Sequence, residues 1–268
     1  MKITFLGTGT SVGVPAIGCT CRTCQSTDPH DKRLRCSALV ETEHTRLLID
    51  TGPDFRQQML TQPFRKIHAV LLTHIHYDHV GGIDDLRPFC QFGEINIYAD
   101  RKTADGLMKT VPYCFAENRY PGVPAIQLHV VTPFQPFVVN ELTVTPFTVW
   151  HGKMPITAYR IEEQDGPALV YITDMKTIGD VEEAFVKDTF TVPSGSGERF
   201  LVVNALRFGK EHYSHQLVPD AIGFVRRVGA PRTLLIHSCH DIGRHAEVNA
   251  QLPSDIQLAY DGQVVVLQ

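Results

Sequence analysis

The chain has 268 residues, of which 43% are hydrophobic and 20% are charged, and its formal net charge is −4 at pH 7. This length is sufficient for a full hydrophobic core, and no apolar run is long enough to cross a bilayer as a helix. The acidic balance and the lack of a basic stripe argue against a nucleic-acid-binding protein. We therefore expect a single domain over residues 1–268 that makes no membrane contact.

Strand and helix patterns alternate through both halves of the chain. In the first half, β-rich runs predict strands at residues 2–6, 37–41, 46–49, 69–72 and 95–99, and helical patterns follow Asp54 and Gly82. In the second half, strands are predicted at 142–149, 156–162, 168–172, 201–203, 233–236, 257–259 and 264–267, with helices at 181–187 and 216–228. The proline-rich residues 111–136 and the turn-rich residues 191–198 are predicted to be irregular loops. Two face-to-face sheets with helices on both outer faces satisfy this layering.

A dense group of metal-ligand side chains follows the strand predicted at residues 69–72. His74, His76, Asp78 and His79 lie within six residues of one another. Imidazole and carboxylate groups suit zinc, manganese, iron or nickel. Since α/β folds place their active sites at the carboxyl ends of strands, this run predicts a metal centre.

Three further potential ligands each follow a predicted strand of the second half. These residues are His151, Asp174 and His237. Taken singly, such a histidine is more often a hydrogen-bonded structural residue, and such an aspartate is more often a helix N-cap. Their joint occurrence favours a metal site, and seven ligands with one shared carboxylate would imply two ions.

A second cluster, rich in cysteine, lies near the amino terminus. Cys19, Cys21 and Cys24 are closely spaced, and His240 follows in the last tenth or so of the chain. A Cys3His set is typical of a closed structural zinc site, which would make residues 18–36 a zinc loop. A redox pair or unreactive loop cysteines are the alternatives, and Cys239 competes with His240 for the fourth position.

The cysteine count also bears on the cellular compartment. The chain has seven cysteines, an odd number, and begins Met1-Lys2-Ile3 without a charged and then apolar signal segment. A disulfide framework is therefore disfavoured, and we expect a reducing, cytoplasmic location.

The order of the ligands resembles a known superfamily. His-x-His-x-Asp-His, then a distant His, an Asp and a last His, is similar to the metallo-β-lactamase superfamily. The segment Gly7-Thr8-Gly9-Thr10-Ser11, followed by the three cysteines and by Arg35-Cys36-Ser37, resembles its PhnP-type cyclic phosphodiesterase branch. The resemblance implies an α/β fold, the αββα four-layer sandwich.

The resemblance also implies a ligand for each metal. The first ion is held by His74, His76 and His151, the second by Asp78, His79 and His237, and Asp174 bridges the two. Cys19, Cys21, Cys24 and His240 hold one structural zinc. The two active-site ions are expected to be manganese or zinc, although iron and nickel are also compatible with these ligands.

The implied reaction is hydrolysis of a small-molecule phosphodiester, of the cyclic, ribose type. Two ions lower the pKa of a bridging water, and the resulting hydroxide attacks phosphorus. Besides Asp78 and Asp174, the branch implies a role for His215, either as general acid for the leaving group or as a donor to the phosphate. The alternative for His215 is a structural role at a helix N-terminus.

Other activities remain open at this stage, because a dinuclear core alone does not fix the substrate. The superfamily includes lactonases, thioesterases and tRNA 3′-processing nucleases. A metal- or ligand-sensing module without activity is a non-enzymatic alternative, which the intact ligand set disfavours. The sequence does not identify the native substrate or the active-site metals, and it leaves a homodimer open.

Overall fold

We describe a computed structural model of the chain, which covers residues 1–116, 122–191 and 197–268. The strands are β1 Lys2–Gly7, β2 Ser37–Glu41, β3 Arg46–Ile49, β4 Ala69–Leu71, β5 Ile95–Ala99, β6 Ile126–Val130, β7 Phe137–Val139, β8 Leu142–His151, β9 Met154–Glu163, β10 Ala168–Ile172, β11 Arg199–Asn204, β12 Thr233–Ile236, β13 Ile256–Leu258 and β14 Val264–Val266. The α-helices are α1 Phe55–Met59, α2 Tyr77–Val80, α3 Arg101–Thr110, α4 Asp180–Phe190, α5 Val218–Val228 and α6 His245–Asn249. Short 3₁₀ helices are Pro29–Asp31, Ile83–Phe92, Pro112–Cys114 and His240–Ile242. Within these described ranges, no helix is long and apolar enough to span a membrane.

In the part of the chain that the structure describes, the strands form two seven-stranded sheets, ordered β14-β1-β2-β3-β4-β5-β6 and β13-β12-β11-β10-β9-β8-β7. Strands β3 and β10 are buried along their whole length, as expected for strands that are covered on both faces. A hydrophobic cluster that includes Phe5, Leu47 and Tyr171 joins the two sheets. Two further clusters lie beneath the helices, around Phe224 on one side and Phe55 on the other. The predicted αββα four-layer sandwich is thus confirmed.

The topology brings the turns that carry the predicted ligands Asp174 and His237, together with Asp50, to one edge of the sandwich. Strands β3 and β4 are parallel, as are β10, β11 and β12. Asp50, Asp174 and His237 each follow the end of one of these strands and have positive φ angles of 59°, 55° and 54°. Non-glycine residues rarely adopt this backbone conformation, and those that do are concentrated at functional sites.

The prediction of one irregular loop over residues 111–136 was wrong. The segment contains the 3₁₀ helix Pro112–Cys114 and strand β6, which pairs in parallel with β5 at the edge of the first sheet. Most of β6 is at least partly exposed, so its sequence lacks the apolar run that marked the buried strands. Helix α3 and strand β7 were also not predicted. Residues 117–121 of this segment, and residues 192–196 of the second predicted loop, lie outside the described residues.

Candidate active site

Asp174 lies at the centre of a buried histidine cluster at this edge. Its Oδ1 atom is 3.1 Å from His237 Nε2 and 3.4 Å from His79 Nε2. Its Oδ2 atom is 3.8 Å from His74 Nε2. One carboxylate thus faces nitrogens from both predicted ligand groups, which is the placement that a bridging ligand requires.

The fold brings together the four side chains that were predicted to hold the second ion. The ligand atoms of Asp78, His79, Asp174 and His237 all lie within 4.8 Å of one another. Asp78 Oδ2 is 3.2 Å from His79 Nε2 and 3.8 Å from His237 Nε2. All four residues are buried.

The histidines predicted for the first ion are also neighbours. His74 Nε2 is 3.0 Å from His76 Nδ1, and the His151 ring centroid is 5.2 Å from that of His76 and 5.7 Å from that of His74. The ligand atoms of His151, Asp174 and His215 lie within 4.8 Å of one another. His215 therefore belongs to the same cluster, although sequence reasoning placed it outside the metal-binding set.

These residues fit a pair of divalent cations. The buried Nε2 atoms of His79 and His237 have no hydrogen-bond partner among the described residues, and orphaned buried polar atoms are rare in folded proteins. Imidazole and carboxylate donors are the usual ligands of zinc, manganese and iron. The seven ligands predicted for the active site thus lie together in one cluster, and their donor atoms are of types that bind these divalent cations.

The pKa values of the cluster residues also bear on the binding of cations. Burial raises the pKa of Asp174, but His237 and His79 outweigh that effect and hold its pKa well below the usual range. Burial opposes ionisation of Asp78 in the same way, but the nearby imidazoles of His237 and His79 outweigh burial and lower the pKa of Asp78 overall. Burial lowers the pKa of His74. The carboxylates are therefore charged and His74 is neutral near pH 7, which are the forms that bind metal. Burial lowers the pKa of His79, but Asp174 and Asp50 outweigh burial and raise that pKa well above its usual value, so His79 must release a proton when it binds a metal.

Asp50 is a site residue that sequence reasoning missed. Its carboxylate is fully buried and accepts hydrogen bonds from the Thr73 backbone N–H (2.8 Å) and hydroxyl (2.9 Å). It also lies 2.7 Å from His79 Nδ1, so it fixes the ring whose Nε2 faces Asp174. A signal was present in the sequence, since Asp50 directly follows the buried strand β3, as the predicted ligand His237 directly follows β12.

We expect Asp50→Asn to weaken metal binding by about 10-fold to 100-fold, the usual cost of losing an outer partner of a ligand histidine. Asparagine tolerates the left-handed backbone but offers one acceptor oxygen where three donors converge. Metal affinity would be measured by competition with a chromophoric chelator, with Asp188→Asn on the exposed face of α4 as control. An affinity equal to that of the wild type would show that Asp50 does not orient His79.

The cysteine cluster of the zinc loop is also assembled. Cys19, Cys21, Cys24 and His240 have ligand atoms within 4.8 Å of one another, and His240 Nδ1 is 3.4 Å from Cys21 Sγ and 3.6 Å from Cys19 Sγ. Cys239 is not part of this group, so the geometry favours His240 as the fourth ligand. The Cys24 backbone N–H lowers the pKa of the Cys21 thiol to about 6, whereas burial raises the pKa of Cys24 to about 11.

Cys21→Ser should remove one zinc per chain and lower the melting temperature. Structural zinc contributes about 10 kcal/mol or more to small zinc-dependent domains, and we expect a smaller effect here because the two sheets have their own core. Metal analysis and thermal unfolding would be compared with Cys90→Ser, which lies outside the cluster. An unchanged zinc content together with unchanged melting would exclude a metal at these cysteines.

His215 occupies a buried position between the two halves of the histidine cluster. Its ring centroid is 4.6 Å from that of His151 and 4.8 Å from that of His237. Its Nδ1 atom has no hydrogen-bond partner in the described part of the chain. Burial lowers the pKa of His215 to about 2, so the side chain is neutral near pH 7. A bound phosphate anion would favour the protonated form again, which links any proton donation to the presence of substrate.

Comparison with known proteins identifies the family. Residues 45–238 match the family model described as the beta-lactamase superfamily domain. A solved structure described as a new diphosphatase from the PhnP family shares 34% identity and a TM-score of 0.86, over 100% of this chain and 98% of the other. The chain belongs to the PhnP family of the metallo-β-lactamase superfamily.

Proteins of other functions are also similar to this PhnP-family chain. An octanoyltransferase of Porphyromonas gingivalis is 42% identical over 100% of the chain but only 52% of its own length. The Zn²⁺-bound PqqB of Methylobacterium extorquens shares the fold at 20% identity, with a TM-score of 0.79 over 99% of this chain and 100% of the other. The chain thus spans about half the length of the curated relatives that it matches first. At the family level, these similarities support a metal-dependent hydrolase.

Proposed function

We propose that the chain is a metal-dependent phosphodiesterase that hydrolyses a small-molecule phosphodiester or diphosphate diester. The observation that carries this proposal is the position of His215, beside both halves of the histidine and aspartate cluster. The similarity to a PhnP-family diphosphatase over the whole chain supports it. The ions would be manganese or zinc in the active site and zinc at the cysteine cluster.

Each residue of the cluster has a role in this proposal. His74, His76 and His151 would hold one ion, Asp78, His79 and His237 the other, and Asp174 both. Two such ions, when bound, would lower the pKa of a bound water and would neutralise charge that develops on the phosphate. His215 would donate a hydrogen bond or a proton to the substrate, since it faces the cluster but has an imidazole nitrogen without a partner.

Thioester hydrolysis is the second candidate function. It is favoured by the 42% identity to the Porphyromonas gingivalis octanoyltransferase, because acyl groups are commonly carried as thioesters. However, 52% coverage leaves about half of that protein outside the match, so its acyl-transfer activity need not reside in the shared part. A tRNA-processing nuclease is less well supported, since the net charge is −4 and nucleic-acid binding requires many phosphate-neutralising cations.

A substrate screen separates these functions. Bis(p-nitrophenyl) phosphate, a dinucleoside diphosphate, a lactone and an octanoyl thioester would be tested with metal-loaded protein. We expect hydrolysis of the two phosphate substrates, and no hydrolysis by the same protein after treatment with a chelator. Turnover of the thioester without turnover of either phosphate substrate would contradict the proposal.

A further inference from the structure

Two exposed tyrosines stand close in the sequence to residues of the candidate active site. Tyr77 stands between the predicted ligands His76 and Asp78 and is 70% exposed, and Tyr213 stands two residues before His215 and is 69% exposed. Neither hydroxyl makes a hydrogen bond within the described residues. Single exposed aromatic residues are normal on protein surfaces, but two of them beside one catalytic cluster call for an explanation.

Each tyrosine ring rests on a glycine. A Cβ atom added at Gly152 would lie 2.7 Å from Tyr213 Cε1 and 3.2 Å from Tyr213 Cδ1, and Gly152 has a φ angle of +60°. A Cβ atom at Gly81 would lie 2.7 Å from Tyr77 Cε2. The absence of a side chain at these two positions lets each ring lie directly on the backbone while much of the side chain remains open to solvent.

Both glycines that contact the tyrosine rings lie close to predicted metal ligands in the chain. Gly152 directly follows His151, whose ring contacts that of His215 at a centroid distance of 4.6 Å. Gly81 caps the short helix α2, which carries Asp78 and His79. The two rings are thus attached to the two halves of the predicted dinuclear centre, on the elements that would hold each ion.

We infer that Tyr213 and Tyr77 are stacking platforms for nucleobases, and that the substrate is therefore a nucleotide-type phosphodiester rather than a bare sugar phosphate. This inference rests on the proposed function for the identity of the reacting group. An exposed ring that is supported on one side can stack a planar base on the other, and base–aromatic stacking is tolerant of base identity. This role makes Tyr77 and Tyr213 specificity-determining residues. The groups that act on the scissile bond remain those of the histidine and aspartate cluster.

Binding of AMP and of ribose 5-phosphate to the metal-loaded protein would test this inference without turnover. The two ligands share the phosphate and the ribose and differ in the base. We expect calorimetry to show that wild-type protein binds AMP at least about fivefold more tightly, as stacking of one base contributes. The affinity ratio should fall close to one in the Tyr77→Ala/Tyr213→Ala variant and persist in the Tyr77→Phe/Tyr213→Phe variant, which keeps both rings.

The outcomes separate this inference from the proposed function. A wild-type affinity ratio near one would overturn it without the need for any variant, and so would a ratio that persists in the double alanine variant. A clear preference for AMP that depends on the rings, in a protein that hydrolyses no phosphodiester, would support the platforms and contradict the phosphodiesterase. Phosphodiester turnover with no preference for AMP would support the phosphodiesterase and contradict the stacking platforms.

Discussion

Replacement of Asp174 with alanine is expected to abolish hydrolysis and to lower the metal content of the active site. Among the described residues, Asp174 is the one carboxylate that faces His74, His79 and His237 together. Its loss would leave the buried histidine nitrogens without the charge that compensates two cations, because a buried charge requires a partner. Metal analysis and turnover of a phosphodiester would be measured on the same preparation.

Two comparison variants control for effects on the fold. Asp174 has a φ angle of 55°, a conformation that alanine tolerates poorly and asparagine tolerates well. Asp174→Asn should therefore fold like the wild type and still lose activity, whereas Asp188→Ala on α4 should change neither activity nor metal content. Wild-type turnover by either Asp174 variant would mean that this residue does not bridge the metals.

Replacement of His215 with alanine is expected to retain both active-site metals and to lower kcat for an unactivated phosphodiester by roughly 10²-fold or more. His215 lies against His151 and His237, but the predicted dinuclear ligand set is complete without it. The metal content should therefore match that of the wild type, and a loss of metal would mean that His215 is itself a ligand.

The leaving group separates the two roles of His215. A p-nitrophenolate leaves without a proton, whereas a ribose or alkyl oxygen requires one. If His215 is the general acid, His215→Ala should lose much less activity on bis(p-nitrophenyl) phosphate than on a cyclic ribose diester. Equal losses on both substrates would indicate that His215 binds the phosphate without transferring a proton.

The sequence predicted the buried framework well, because burial on both faces leaves a continuous apolar run. Strands such as β3, β4 and β10 have that pattern, and each is followed by a polar residue of the site. Strand β6 escaped prediction because Gln127, Leu128 and His129 are all at least partly exposed at the edge of the sheet, so no apolar run distinguishes it from a loop.

At the candidate site, the sequence could not predict features that depend on contacts formed only in the folded chain. Residue type identified the possible metal ligands, but the role of Asp50 depends on a contact with His79 across 29 positions of sequence. A single aspartate after a strand does not reveal such a partner. The environments of Tyr77 and Tyr213 were equally hidden, because they depend on glycines whose packing only the folded chain defines.

The number of metal ions required for turnover tests the central claim most directly. Protein stripped of its active-site metals would be titrated with Mn²⁺ or Zn²⁺ while hydrolysis of bis(p-nitrophenyl) phosphate is followed. We predict no turnover without added metal, and saturation at two equivalents per chain beyond the ion at the cysteine cluster. Turnover by the stripped protein, saturation at a single equivalent, or no phosphodiester hydrolysis at any metal loading would contradict a dinuclear phosphodiesterase.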